Sequence, residues 1–159
     1  MATRSGIGIM KADGTIDAIY CHNDGYLEGV GAVLAEHYNN EEKINKLLDL
    51  GDISGLGSEL EYPEDADLGD PVVDDEMTIR MKRAQYSDVT VAYHRDMGER
   101  MPSVKKSTYK NEEAFTTAFD SMGAEYCYLF KDNAWYVSTF DDFFNEWHLL
   151  SSKLGGSNV

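Results

Sequence analysis

Two pairs of short apolar runs, each joined by a tight-turn sequence, constrain the fold of this chain more than any other feature. The first pair flanks Asp13-Gly14 in GIGIMKADGTIDAIYC, and the second flanks residues 132–134 in EYCYLFKDNAWYVSTF. Asp-Gly supplies the positive φ angles that a two-residue hairpin turn requires. Each pair therefore predicts two antiparallel neighbouring strands.

Helical spacing of apolar residues follows the first hairpin. The residues from Leu27 to Tyr38 follow an i, i+3, i+4, i+7 pattern, which predicts a helix that begins near Glu28. Asn39 and Glu42 then form the capping box of a second helix. That helix carries an apolar stripe from Ile44 to Leu50 and ends at Gly51.

Two more helices are predicted around the second hairpin. Asn111 caps one helix, whose apolar face includes Phe115 and Phe119 and which closes at Gly123. Asp141 or Asp142 caps a final amphipathic helix with Phe143, Phe144, Trp147 and Leu150 toward the sheet.

The middle of the chain completes the predicted order. Strands are expected in TIRMKRAQY and DVTVAYH, and a basic loop is expected from residue 95 to residue 110. Since hairpins dominate and no βαβ crossover is evident, we predict an α+β fold, with a mainly antiparallel sheet built from hairpins and helices packed on one face. Residues 1–159 are expected to form a single domain.

Charge is distributed unevenly along the chain, whose net charge is −15. Residues 47–79 hold eleven acids and no Lys or Arg, and residues 59–79 form what we call the acidic excursion. Residues 80–110 hold eight bases and three acids. Within it, residues 91–110 have the composition of a nucleic-acid patch, with two tyrosines among five basic side chains, but the global charge repels a polyanion. The residues of this basic patch are Tyr93, Arg95, Arg100, Lys105, Lys106, Tyr109 and Lys110. An internal partner in the acidic segment is therefore the favoured interpretation, and no direct binding of nucleic acid is expected.

The acids of this region are candidate partner-binding residues. They either solvate a loop or imitate the phosphate row of DNA, which carries one charge per roughly 1.7 Å of duplex. The imitation hypothesis predicts a protein partner with a basic nucleic-acid-binding groove, drawn in by electrostatic steering. The candidate residues are Asp49, Asp52, Glu59, Glu61, Glu64, Asp65, Asp67, Asp70, Asp74, Asp75 and Glu76, and Asp141 and Asp142 extend the set.

A chemical alternative centres on IYCHNDGY, residues 19–26. Cys21, His22, Asp24 and His94 would form the site of a small hydrolase or nucleotide-binding enzyme. A metal at His22 and Asp24 would need a further ligand such as His37 or His94. Neighbouring strand residues point to opposite faces, so Cys21 and His22 do not readily pair. The favoured interpretation is that Cys21 packs in the core while His22 and Asp24 shape a strand-to-helix turn.

Three stretches of the chain resemble an uncharacterised group of small bacteriophage and prophage proteins. The similar signatures are an I-Y-C-H-x-D-G-Y box, a Gly and Leu pattern leading to E-H-Y, and a later A-Y-x-R-D-x-G-E box. They cover chiefly residues 6–57 and 88–99. Asn23 and Leu27 depart from the pattern, where an aromatic and a proline are common. The resemblance implies a phage origin and a role inside the infected host, without implying a chemical activity.

The remaining sequence signals concern the compartment. No apolar run is long enough to span a membrane, and the first ten residues lack the features of a secretory signal. We therefore expect a protein of the host cytoplasm with two free cysteines and without a cofactor, a resident metal or a membrane partner. We expect a non-enzymatic binding protein, and a homodimer is left open.

Overall fold

The computed structural model describes residues 2–154, which fold around one mixed eight-stranded sheet. The strands are β1 Ser5–Met10, β2 Ile16–Cys21, β3 Ile53–Gly55, β4 Val91–Ala92, β5 Ser107–Tyr109, β6 Tyr126–Lys131, β7 Ala134–Thr139 and β8 His148–Leu149. The helices are α1 Ala32–His37, α2 Glu41–Asp49, α3 Glu76–Ala84, α4 Tyr93–Met97, α5 Met101–Val104, α6 Glu112–Ser121 and α7 Leu150–Leu154. A π-helical turn, Leu27–Gly31, leads into α1, and a 3-10 turn spans Phe140–Asp142. The predicted α+β class is confirmed.

The strand order in the sheet is β4-β3-β2-β1-β6-β7-β8, and β5 pairs with β2 beside β3. Both predicted hairpins are present, as β1–β2 and β6–β7. Two neighbouring pairs are parallel, β1–β6 and β2–β3, and the other pairs are antiparallel. The helical segment between β2 and β3 is therefore a crossover between parallel neighbours, which was not predicted from the sequence.

Helices cover both faces of the sheet instead of the single face that was expected. One apolar cluster packs β1, β2, β6 and β7 against α1, α2 and α7, and a second packs the opposite face against α6. In β2, Ile19 and Cys21 join the first cluster, while Ile16 and Ala18 join the second. Because both alternating sets of this strand are apolar, both of its faces require cover.

Most of the predicted helix boundaries are close to the observed ones. Asn111 caps α6 by accepting the Ala114 amide, as expected. The cap of α2 is Asn40, one residue later than predicted, and its side chain accepts the Lys43 amide at 2.8 Å. Gly51 follows α2 with a φ of 79°, a left-handed conformation that glycine adopts without strain.

One predicted strand and one predicted helix are wrong, and a second predicted strand is shorter than expected. Residues 76–84 form α3 because the Asp75 carboxylate accepts the Thr78 amide at 2.7 Å and caps a run of good helix formers. The strand in DVTVAYH shrinks to β4, since the Asp96 carboxylate accepts the Ala92 amide and the chain turns into α4. The predicted basic loop contains α5 and β5.

The predicted helix over residues 141–150 is replaced by a tight turn and β8. Phe143 and Phe144 have φ angles of 58° and 57°, a left-handed conformation that no helix continues. Phe144 and Trp147 still pack against the sheet, on the α6 face, whereas Leu150 packs on the other. Among residues 2–154, no helix combines the length and the apolar character that crossing a membrane requires.

Candidate partner-binding surface

The Cys21 side chain lies in the core at the end of β2. Its sulfur donates a hydrogen bond to the Asn23 carbonyl at 3.4 Å. Burial raises the pKa of the thiol to about 12, so the group stays protonated at neutral pH. A thiolate nucleophile needs the opposite shift. This environment favours the packing role of Cys21 over a catalytic one.

The other residues of the chemical alternative are engaged elsewhere. His22 Nδ1 lies 2.7 Å from the Tyr20 hydroxyl, and His94 Nδ1 lies 2.8 Å from the Glu99 carbonyl oxygen. Asp24 takes a left-handed φ of 57°, and its carbonyl accepts the Val30 amide at 2.8 Å. The Asp24 bond lies at the passage from β2 into the π-helical turn, whereas the His94 bond lies between α4 and the loop after it.

Asp52 differs from the other acids of the candidate set because its carboxylate points into the sheet edge. It accepts the Tyr20 amide at 2.9 Å, at a position of β2 that lies between β5 and β3. Burial raises the pKa of the Asp52 carboxyl to about 6. Asp52 is therefore a structural residue that completes the hydrogen bonding of β2.

The substitution Asp52→Asn is expected to stabilise the protein above pH 7 and to lose this advantage in acid. The folded-state pKa of Asp52 lies above its ordinary value of 3.8, so the charged form weakens folding above about pH 6. The penalty is relieved as the pH falls from 6 toward 4. The asparagine side chain keeps an oxygen acceptor for Tyr20 without the charge. After allowance for solvent screening, we expect a gain of about 1 kcal/mol at pH 7.5.

Thermal unfolding of both proteins between pH 4 and pH 8 checks this expectation. The difference between the two curves isolates Asp52, because every other titrating group is shared. A difference that stays constant across this pH range would contradict the proposed burial of the charge.

Several other acids of the set are neutralised by bases of the same chain. Lys82 lies 3.2 Å from Asp67 and 3.5 Å from Asp74, and Arg80 lies 2.8 Å from Glu76. Lys106 reaches Asp49 at 2.9 Å. Of the bases predicted to find an internal acidic partner, those in residues 91–110, Lys106 is the one paired with an acid of the candidate set among the described residues.

Six acids of the candidate set are exposed and have no ion pair within residues 2–154. Asp70 uses one carboxylate oxygen to accept the Val72 amide, which leaves its charge facing solvent. The six residues are Glu59, Glu61, Glu64, Asp65, Asp70 and Asp75. Five of the six lie within residues 59–70, so uncompensated negative charge is concentrated toward the start of the acidic excursion.

A buried ionic cluster fastens the acidic excursion and α3 to the sheet. The Asp96 side chain is only 2% exposed and accepts bonds from Arg83 at 2.7 Å and Arg95 at 3.0 Å. The Tyr62 ring stacks with both guanidinium groups, at 5.3 and 5.1 Å from its centroid. Arg95 also donates to the Leu60 carbonyl. We call Tyr62, Arg83, Arg95 and Asp96 the anchor cluster.

The anchor cluster was not predicted from the sequence because its members were assigned to separate segments. Tyr62 was placed in the acidic loop, Arg83 in a strand and Arg95 in the basic loop. A lone aromatic within an acidic loop was the available signal, since such a side chain needs a packing partner.

The outward side of α3 carries two exposed methionines beside the exposed Glu76–Arg80 ion pair. Ile79, Lys82 and Arg83 turn toward the body of the protein, whereas Met77 and Met81 are 66% and 64% exposed. The turn before the helix presents Val72 and Val73, which are 88% and 76% exposed. We call these four exposed side chains the apolar ridge. The i, i+4 methionines in EMTIRMKRA were the sequence signal for it.

No known protein family, curated protein or solved structure matches this chain.

Proposed function

We propose that this chain is a phage-encoded, non-enzymatic binding protein that acts in the host cytoplasm. It docks the acidic excursion and the apolar ridge onto a basic groove of a nucleic-acid-handling enzyme and modulates or inhibits that enzyme. The observation that carries the proposal is the combination of six unpaired acids and four exposed apolar side chains on one anchored segment of the described residues.

The unpaired acids supply long-range attraction. A net charge of −15 steers the protein toward a positively charged surface, with an effect that salt screens over about 8 Å at physiological ionic strength. A groove that binds nucleic acid is lined with Lys and Arg side chains, whose spacing matches that of the phosphates they contact. The carboxylates along residues 59–70 contact these basic side chains in place of the phosphates.

The apolar ridge supplies the short-range energy that charge alone does not give. Methionine is enriched at protein interfaces, where its flexible thioether adapts to an irregular partner surface. Polar residues at the rim and apolar residues at the centre are the common arrangement of a specific interface. The ridge therefore fits a partner that offers an apolar patch beside its basic groove.

A rigid surface binds more tightly than a loose one because less freedom is lost on association. The anchor cluster provides this rigidity, since it connects α3 and Tyr62 to α4. The resemblance to phage proteins supports a host enzyme as the partner, because such proteins act inside an infected cell.

Affinity capture with a charge variant tests the proposal. Wild-type protein immobilised at low salt is expected to retain a basic nucleic-acid enzyme from bacterial lysate and to release it as salt rises. The triple variant Glu61→Gln, Glu64→Gln, Asp65→Asn should bind the same enzyme at least about 10-fold more weakly at low salt, with a shallower salt dependence.

The matched control removes the same three charges from the body of the protein. The control changes are Glu41→Gln in α2 and Glu113→Gln and Asp120→Asn in α6, all at exposed positions, and they leave the same net charge as the test variant. The control is expected to retain nearly wild-type affinity. Equal losses in both triple variants would show that only the total charge matters and would contradict a localised docking surface.

A further inference from the structure

A mixed group of two carboxylates and one imidazole lies at the edge of the sheet far from β4. Asp142 ends the 3-10 turn, Glu146 lies in the following loop, and His148 opens β8, the last strand in the sheet order. One ligand atom from each residue lies within 4.8 Å of the others. None of these residues belongs to the surface proposed above for partner binding.

The three side chains converge without a hydrogen bond from the imidazole to either carboxylate. His148 Nε2 lies 3.9 Å from Asp142 Oδ2 and 3.9 Å from Glu146 Oε2, which is beyond hydrogen-bond distance. Around a tetrahedral ion with bonds of about 2.0–2.2 Å, ligand atoms stand roughly 3.3–3.6 Å apart. Small side-chain rotations would therefore close the group around an ion.

A second observation concerns Asp142 Oδ1, the carboxylate oxygen other than the Oδ2 atom that lies near His148. Although the side chain as a whole is 37% exposed, its Oδ1 atom is shielded from solvent and has no hydrogen-bond partner among the described residues. A buried carboxylate oxygen normally has a donor or a cation beside it. Two carboxylates and a neutral imidazole together carry a double negative charge, which a divalent cation neutralises.

We propose that Asp142, Glu146 and His148 bind a divalent transition-metal ion of the Zn²⁺ type. Imidazole as a ligand favours zinc-like ions over Mg²⁺ and Ca²⁺, which prefer all-oxygen sites. Three protein ligands leave one coordination position for water. The left-handed Phe143 and Phe144 fold the chain back so that ligands from both sides of the turn meet.

Isothermal titration of the full chain at pH 7.5, first with Zn²⁺ and then with Mg²⁺, tests the site. We expect one Zn²⁺ per chain, a higher melting temperature when Zn²⁺ is bound, and no saturable binding of Mg²⁺. His148→Ala and Asp142→Asn should each weaken Zn²⁺ binding at least about 10-fold. Asp142→Asn keeps the shape of the side chain, so it tests the site even if His148→Ala disturbs β8.

Two matched controls are present in the chain. His37 is another half-exposed histidine with a carboxylate nearby, from Glu36 at 3.8 Å, and Asp141 is the exposed neighbour of Asp142. His37→Ala and Asp141→Asn should bind Zn²⁺ like the wild type. Absence of saturable Zn²⁺ binding, or equal affinity in His148→Ala and wild type, would show that the group is only an ion pair and would overturn the proposal.

Discussion

Replacing Asp96 with alanine is expected to lower the unfolding free energy by about 3 kcal/mol, and the melting temperature by about 6–12 °C. Asp96 is the buried anion between Arg83 and Arg95, and its carboxylate also accepts the Ala92 amide at 2.7 Å. Removing it leaves two half-buried guanidinium groups without a counter-charge, which is the costly way to break an ion pair. Differential scanning calorimetry measures the change.

The same variant should also release the acidic excursion from the sheet. Arg80, Lys82 and Arg83 lie within α3 and are trypsin sites that the folded helix protects. Limited proteolysis of Asp96→Ala is therefore expected to cut first in α3. The control is Asp65→Ala, which removes an exposed acid of the excursion that has no ion pair within the described residues. Similar melting temperatures for the two variants would contradict the anchoring role of Asp96.

Replacing Met77 and Met81 together with alanine is expected to weaken partner binding by at least about 30-fold, the equivalent of roughly 2 kcal/mol. Both side chains are largely exposed and contribute little to the folded core. The free energy of unfolding should therefore change by less than about 0.5 kcal/mol, with a small gain from the helix propensity of alanine. Surface plasmon resonance against the captured enzyme measures the affinity.

The methionine variant separates apolar docking from electrostatic steering. Because the net charge is unchanged, the slope of affinity against salt should match that of the wild type, while the dissociation rate rises. Met122→Ala is the control, since Met122 is also exposed but lies at the end of α6 on the body. Unchanged affinity in the double variant would remove the apolar ridge from the interface.

Local chemistry made the two hairpins and the Asn111 cap predictable. Asp13-Gly14 encodes its turn in neighbouring residues, and Asn111 caps α6 through an amide only three positions away. Coverage of both sheet faces was also readable in principle, because IDAIYC and YCYLFK are apolar at almost every position. The hairpin pattern alone predicts helices on a single face, as in antiparallel α+β folds.

The errors occur where contacts outside the hydrophobic pattern decide the conformation. Residues 141–150 have a helical pattern, but packing of Phe144 and Trp147 on the α6 face holds a left-handed turn instead. The strand expected in DVTVAYH ends early because Asp96 binds back to the Ala92 amide. The periodic spacing of apolar residues along the sequence reveals neither interaction.

The acidic candidate residues also combine a feature that the sequence predicts with one that only the structure reveals. Its concentration in residues 47–79 follows from composition, whereas the role of each acid depends on its neighbours in space. Asp52 is buried against Tyr20, which is 32 residues away, and Asp67 pairs with Lys82 across the excursion. Spacing along the chain therefore predicted an acidic region but could not separate the free carboxylates from the paired ones.

Hydrogen exchange of the protein, free and in complex with the captured enzyme, tests the proposed docking surface most directly. We expect exchange to slow in residues 59–84, and we expect added duplex DNA or RNA, which competes for the enzyme's groove, to reverse this protection. Protection confined to residues 19–26 or to the β8 edge, or protection that nucleic acid does not reverse, would contradict the proposed docking surface.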